Sequence, residues 1–424
     1  MKPVKVGVLG LGTVGGGTVN VLKRNAAEIA RRAGREIIIT RASAKDLDKD
    51  RICDTQGIIL TTDPLDIIND PEIVKEMVLK AIENGKHVVT ANKSLIALHG
   101  NEIFAKASEK GVIVAFEAAV AGGIPIIKAI REGLSGNQIQ WLAGIINGTG
   151  NFILTEMRDK GRDFDDVLAE AQALGYAEAD PTFDVEGIDA GHKLTILASI
   201  AFGIPLQFDK VYTEGITQIT RLDVEYAEQL GYRIKHLGIA RKTPEGIELR
   251  VHPTLIPERR LIANVNGVMN AVLVKGDAVG ATLYYGAGAG AEPTASAVVA
   301  DVIDVVRALT SDPENRVPHL AFQADSLHDI PVLTSDRFKT AYYLRLTTED
   351  KPGVLADVTR ILAEHHISIE AIIQKEPLGD ETAISIILLT QITLEKEMNA
   401  AISEIEALKT VTGKINRIRL ETLK

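Results

Sequence analysis

The chain has 424 residues, 46% hydrophobic and 25% charged, enough to bury a sizeable core and to divide into several domains. A net charge of −10 argues against nucleic acid as a partner, and no apolar run approaches the roughly 18 residues that span a bilayer, so no membrane role is expected. Its one cysteine, Cys53, excludes an intrachain disulfide framework and suits a reducing cytoplasm, while nine scattered histidines offer no zinc-type cluster.

The N-terminal MKPVKVGVLG enters a strand pattern within a few residues, which leaves no room for a signal peptide. The first third then alternates short β-branched runs with helical patterns, as a parallel α/β sheet does. Strands are expected over 4–10, 36–43, 87–91 and 112–118, with helices over 14–33, 71–84 and 99–110. GLGTVG, residues 10–15, sits directly after the first strand and opens the first helix. In that place Gly10 permits the tight turn, Gly12 lets the backbone approach a pyrophosphate, and Gly15 allows close helix–strand packing. Thr13 and Val14 begin the helix whose free N–H groups face the anion. Outside that context the same letters would be a glycine-rich turn without function.

The second strand ends in TRASAKD, which presents Arg41 and Lys45 before any acid. NAD sites place an acid there for the ribose 2′-OH, whereas NADP sites place a basic group for the 2′-phosphate. NADP is therefore the expected cofactor, with NAD left open through Asp46. HVVTANKSL puts Lys93 beyond the C-terminal end of a parallel strand, the edge where open α/β sheets bind ligands. EAAVAGGIP (117–125) and IINGTGNF (145–152) are further glycine-rich turns, each with a small polar group.

From about Leu134 to Pro318 helical stretches mix with alternating strands, which suggests an α+β domain with an open sheet. Within it, GYAEADPTFDVEGIDAGHK (175–193) gathers the carboxylates of Glu178, Asp180, Asp184, Glu186 and Asp189. Helical apolar spacing over 187–200 sets Asp189 and Lys193 one turn apart on one face. As an exposed pair they would contribute only about 0.3–0.5 kcal/mol and carry no function. In a cleft, a partly desolvated lysine oriented by a carboxylate can move a proton. Both readings stay open on these residues alone. Residues 311–333 are heavily punctuated and lack periodicity, so they read as linker. Beyond them, strand, helix, strand, strand, helix, strand follow in the split βαβ, ferredoxin-like order.

Taken together, GLGTVG, HVVTANK, EAAVAGGIP, IINGTGN, GYAEADPTFDVEGIDAGHK and GAGAGAEPTASAVVAD resemble the motifs of the homoserine dehydrogenase family, over residues 1 to about 310. The resemblance implies an NAD(P)-dependent oxidoreductase that interconverts L-homoserine and L-aspartate 4-semialdehyde in threonine, methionine and isoleucine biosynthesis. It implies that Lys193 is the general acid/base and Asp189 its partner near the substrate oxygen. Glu178 would bind the substrate amino group, Asp184 and Thr149 would line the same pocket, and Lys93 would lie by cofactor and substrate. The glycine run around Gly290 would return to cover the cofactor. Backbone oxygens of Glu117, Val120, Gly122 and Ile124 match the family's sodium site, a structural ion.

From about Thr340 the chain is similar to an ACT domain, a small amino-acid-sensing module. TTEDKPGVLADVTRIL carries its turn at Asp350, Pro352 and Gly353. The implied role is feedback inhibition by threonine, with Asp350 and Gly353 at the effector site and sheet edges paired in a homodimer or homotetramer. A dimerisation module without a ligand is the alternative. The expected organisation is thus a Rossmann-type nucleotide domain (1–133), a substrate-binding and dimerisation domain (134–318, with 286–310 returning to the first), a linker (319–339) and the ACT domain (340–424).

The chain departs from the family in one large respect. DIINDPEIVKEMVLKAIENGKH (66–87) runs from loop straight into helix. The family has an apolar strand and a Glu-x-x-Gly-Gly loop there, roughly a dozen residues expected between Ile73 and Val74 and next to the first strand of the sheet. Losing a central strand leaves unpaired backbone groups at about 1–3 kcal/mol each. Either the sequence as given is short by that stretch, or the nucleotide domain has diverged. In the second case a non-catalytic amino-acid-binding regulator is the alternative function; a dehydrogenase for another amino acid is the third reading. Cys53 lies outside every site-like motif, which disfavours an acyl-enzyme route. A smaller departure is Gly150, where the family commonly has a second threonine.

Overall fold

The computed structural model describes residues 2–44, 46–62, 71–374 and 383–424, with the backbone alone at 71–74 and 314. The chain forms two compact units. The first comprises Met1–Leu142, His192–Asp209 and Met269–Ile330; the second comprises Ala143–Gly191, Lys210–Val268 and Pro331–Lys424. No helix among the described residues is long and apolar enough to cross a membrane.

In the first unit the strand Val4–Leu9 pairs in parallel with Ile37–Ser43, which pairs in parallel with Ile59–Thr61. The helix expected over 14–33 is two helices, Thr13–Arg24 and Ala26–Ala33, broken at Asn25. The first packs on Ala291–Ala308, the helix that follows the late glycine run. Gly17 makes this close approach feasible, since a Cβ there would lie 2.5 Å from the Ala291 carbonyl oxygen. Val19 and Leu22 meet Ala295, Val299 and Val302 in the resulting core. The helix Lys93–Glu109 starts six residues earlier than its apolar spacing suggested, because the Asn92 side chain accepts from the Leu95 N–H at 3.0 Å and caps it.

The parallel strands do not join into one sheet among the described residues. Val4–Leu9 is the edge of a three-stranded sheet, while Val88–Val89 and Val114–Ala115 form a separate pair. Leu9, at the end of that edge, is 61% exposed. The family's strand expected between the two parts has no counterpart among the described residues. After Thr62 the next described residue is Pro71, which already opens the helix Pro71–Glu83.

The second unit is built on the antiparallel hairpin Tyr232–Thr243 and Gly246–Pro257. The latter strand pairs in parallel with Asn416–Leu420, and the sheet continues through Lys339–Glu349, Ala383–Thr390 and Ile369–Gln374. Within the C-terminal module the fourth strand thus lies beside the first, then the third and second, all antiparallel, with helices Val354–Glu364 and Glu395–Glu406. This is the ferredoxin-like arrangement. Strand alternation sends Leu344, Leu346, Ile386 and Leu388 toward those helices. The opposite face, with Tyr343, Ile387, Leu389 and Ile418, packs against Phe152, Ile153 and Met157 of the helix Gly148–Lys160.

Candidate active site and cofactor site

Gly10 adopts φ +86° and donates its N–H to Ser43 Oγ at 3.2 Å, tying the phosphate-type turn to the second strand. A Cβ at Gly15 would sit 1.8 Å from the Gly10 carbonyl oxygen, so this position accepts only glycine. The helix beginning at Thr13 has no side-chain cap on Gly12 and no acid in its first turn. A Cβ on Gly12 would meet nothing within 4 Å. Open space before an uncapped, acid-free helix N-terminus fits a pyrophosphate. Arg41 is exposed on the second strand opposite Gly7, two residues before Ser43 and, by strand alternation, on its face. Lys45 lies outside the described residues. Asp46 uses Oδ1 to accept the Asp48 N–H at 2.9 Å. Gly290, at φ +124°, precedes the helix that touches Gly17, so the late glycine run returns to the first helix within this unit.

Lys93 is the first residue of its helix, directly beyond the short strand Val88–Val89. Its neighbour Ser94 meets His192 across 3.2 Å (Oγ to Nδ1), and His192 is the residue before Lys193. The turn carrying Lys93 is therefore bound to the turn carrying Lys193.

Glu117 is buried, with its carboxylate accepting the N–H groups of Ile127 and Lys128 at 2.9 and 2.8 Å. Burial first, then the charge of Asp301, pushes its carboxyl up to about 7. The side chain is committed to that helix start, which leaves the loop's carbonyls as its donors. Ala121 and Gly122 take φ of +52° and +29° and turn the chain. The Ile124 oxygen accepts from the Ile126 N–H at 2.7 Å and that of Glu117 from Val120 at 3.4 Å. The oxygens of Val120 and Gly122 accept no backbone N–H among the described residues. An all-oxygen set of this kind suits a hard cation.

In the second unit Asn147 is the residue that organises the acidic stretch. Its Oδ1 accepts the Gly150 N–H at 2.8 Å, capping the helix Gly148–Lys160. Its Nδ2 donates to Asp184 Oδ1 at 2.7 Å and to Asp189 Oδ2 at 3.0 Å. One amide thus holds two carboxylates in register. Thr149 Oγ1 donates to the Tyr176 carbonyl at 2.6 Å, pinning the start of the loop, and Tyr176 packs edge-on against Phe152. Glu178 is exposed on that loop. Asp189, 3% exposed, and the half-buried Lys193 both lie on the helix Ile188–Phe202, one turn apart. Sequence reasoning missed Asn147, whose signal is an Asn at a strand-to-helix turn; its partners lie 37 and 42 residues away.

His236, in the strand Tyr232–Thr243, is buried near Gly150 and Gly187. Its Nε2 faces the Glu214 carbonyl at 2.9 Å, which assigns the proton to Nε2, and burial keeps the ring neutral. Its Nδ1 is buried with no hydrogen-bond partner among the described residues. A Cβ on Gly150 would lie 3.7 Å from that nitrogen and touch nothing closer than 3.4 Å. Gly150→Ser is accordingly expected to stabilise the protein by about 1–2 kcal/mol, from a satisfied buried acceptor and a helix freed of glycine. Urea unfolding measures it; a destabilised variant would show that the space is needed by something else.

Residues 10–117 match the family model described as homoserine dehydrogenase, NAD binding domain; residues 125–303 match homoserine dehydrogenase, and 342–408 the ACT domain. The chain is 68% identical to a homoserine dehydrogenase of Pseudomonas aeruginosa, with 100% of both chains covered. That alignment runs over 435 positions against the 424 residues here, eleven more, a difference of the size expected for the missing strand and loop. A crystal structure of a homoserine dehydrogenase from Thiobacillus denitrificans is similar at TM-score 0.93 and 67% identity, covering 100% of this chain and 99% of that one. A hyperthermophilic archaeal homoserine dehydrogenase in complex with NADPH is similar at TM-score 0.60 and 25% identity, covering 72% and 98%.

Proposed function

This chain belongs to the homoserine dehydrogenase family, and on that premise we propose how its residues divide the chemistry. It is an oxidoreductase of amino-acid biosynthesis that interconverts L-homoserine and L-aspartate 4-semialdehyde with a nicotinamide cofactor. Its fold comprises a Rossmann-type nucleotide domain, an α+β catalytic domain with an open sheet and a C-terminal ACT domain. The Asn147 amide that fixes Asp184 and Asp189 at the start of the helix bearing Lys193 supports the site assignment most directly.

Oxidation removes a hydride from the carbinol carbon and a proton from its oxygen, and the bound nicotinamide supplies the hydride acceptor. Lys193 Nζ takes the hydroxyl proton and returns it in the reverse direction. Asp189 orients that lysine, and Asp184 and Thr149 line the pocket. Glu178 pairs with the substrate ammonium, and Lys93 lies by substrate and cofactor. Gly10, Gly12, Thr13, Val14 and Gly15 hold the pyrophosphate and Gly290 closes over it. The test of these roles is the Lys193 variant argued in the Discussion.

NADP is the preferred cofactor in this reading, supported by the exposed Arg41 on the face of Ser43 and by the NADPH of the archaeal relative. Arg41→Ala should shift the kcat/KM ratio of NADP to NAD about tenfold toward NAD, the scale of one charged hydrogen bond. An unchanged ratio would reassign the 2′-phosphate to other groups. Sodium is held by the carbonyls of Glu117, Val120, Gly122 and Ile124. Replacing sodium chloride by choline chloride at equal ionic strength should lower the unfolding midpoint, because an ion bound only by the folded state stabilises it. Equal midpoints would remove the ion from the structure's account.

The ACT domain takes an amino-acid effector, threonine in this reading, at the turn of Asp350 and Gly353. A cavity of about 340 Å³ lies there, lined also by Gln374, Ile384 and Ile386. Gly353, at φ +96°, makes the turn possible. The enzyme works in the cytoplasm as a homodimer or homotetramer.

A further inference from the structure

A second opening, about 970 Å³, lies within the second unit where the C-terminal module meets the segment that follows the substrate loop. Its floor is apolar and buried: Ile219, Ile415 and Ile418 are 5, 9 and 2% exposed. Its rim carries both signs of charge. Arg417 and Lys414 come from the module, with Arg417 braced by Asn399 Oδ1 at 2.5 Å. Glu406 faces Lys414 at 2.7 Å, and Glu186 also lines the opening.

Glu186 is one of two carboxylates of the 175–193 stretch, with Asp180, that the catalytic assignment leaves unused, and it alone lines this opening. Its Oε1 accepts from Thr217 Oγ1 at 3.2 Å, and its Oε2 lies where a Cβ on Gly215 would come within 2.4 Å. Gly215 therefore keeps open the space that this carboxylate occupies at the cleft. Ile188, also in the wall, is the first residue of the helix that carries Asp189 and Lys193. An apolar floor with a few convergent polar groups, within the roughly 300–1,000 Å³ range of small-molecule sites, is the form of a ligand pocket. A groove needed only for packing would close on that floor.

We propose that this cleft binds a small zwitterion of the amino-acid class, its carboxylate on Arg417 and its ammonium on Glu186, and that occupancy alters turnover through the helix that begins at Ile188. The site is separate from the turn of Asp350 and Gly353, and the inference rests on the reading that an amino acid regulates the enzyme. A ligand that draws Glu186 from Thr217 favours one placement of the helix start at Ile188 that follows it, and it can shift the balance only by its difference in affinity for the two placements.

The test is calorimetric titration of the full chain with each of the common L-amino acids, threonine included, in parallel with turnover. Ser403→Trp, on the exposed cleft side of the helix Glu395–Glu406, fills the opening and leaves turnover without ligand unchanged; Glu186→Gln removes the ammonium partner. The expected result is an amino acid whose binding survives Asp350→Ala and weakens at least about tenfold in both cleft variants. Binding lost in Asp350→Ala and untouched by the cleft variants would overturn the cleft and leave regulation through the turn standing. A wild-type chain that binds none of the amino acids would overturn both.

Discussion

Lys193→Ala is expected to lower the turnover of homoserine by about 10²–10⁴, the contribution of a positioned acid/base, with the cofactor affinity unchanged. The expectation rests on where the lysine stands. It is half-buried one turn beyond Asp189, whose carboxylate is buried and bonded to Asn147. It also follows His192, which is fixed by Ser94 and packs on Phe208 at 4.2 Å between ring centroids. The helix cannot swing without breaking those contacts, so truncation removes the amine and leaves its surroundings in place. Lys193→Arg sharpens the reading, because a guanidinium keeps charge and length but does not give up its proton in water. If proton transfer is the role, the arginine variant stays as impaired as the alanine one. If the lysine only supplies positive charge, arginine restores most of the rate. An alanine variant within about threefold of wild-type turnover would remove Lys193 from the chemistry altogether.

The parts of this protein that were legible in its sequence are those whose physics is local. GLGTVG declares itself because the turn, the close packing and the helix start all fall within six residues. The spacing of Asp189 and Lys193 follows from one uninterrupted apolar stripe, and the helix is there. The C-terminal module reads correctly because its turns separate short, alternating strands. Where a cap overrides composition, sequence reasoning slips: Asn92 starts a helix that the following residues do not announce, and Asn25 divides another. Least legible are polar contacts between distant segments. Nothing near Asn147 signals that its amide will join Asp184 to Asp189, nor does anything near His236 signal that its ring will lie against Gly187, whose Cβ would come within 3.1 Å. The stretch between Ile73 and Val74 is the reverse case: the sequence shows there only a helix pattern reached too early, and among the described residues Val4–Leu9 is paired on one side alone.

The largest stability effect is expected at Arg419, which is buried in the strand Asn416–Leu420. Its Nε donates to Glu395 Oε2 at 2.9 Å and its Nη2 to Glu395 Oε1; Nη1 reaches Glu214 Oε2 at 2.6 Å, and Nη2 also reaches the Tyr212 hydroxyl at 3.0 Å. Burial opposes its charge, but the bonds and charges of Glu395 and Glu214 outweigh burial and hold the guanidinium firmly protonated. Arg419→Met leaves Glu395, whose side chain is 2% exposed, a buried carboxylate stripped of its two guanidinium bonds, with the Tyr342 hydroxyl at 3.2 Å and Arg417 Nη1 at 3.7 Å still near it. The expected loss is about 3–5 kcal/mol in unfolding free energy. Removing both charges, Arg419→Met with Glu395→Met, should recover most of it, since a buried pair contributes little beyond an apolar replacement of the same volume. The effect should also reach the substrate loop. Glu214 gives its side chain to Arg419 and its carbonyl to His236, the ring packed on Gly187, so the single variant should raise KM for homoserine more than KM for the cofactor. The distinction matters because a general loss of stability lowers the amount of active enzyme without changing either KM. A single variant that loses less than about 1 kcal/mol would mean that water reaches Glu395 and takes the place of the guanidinium.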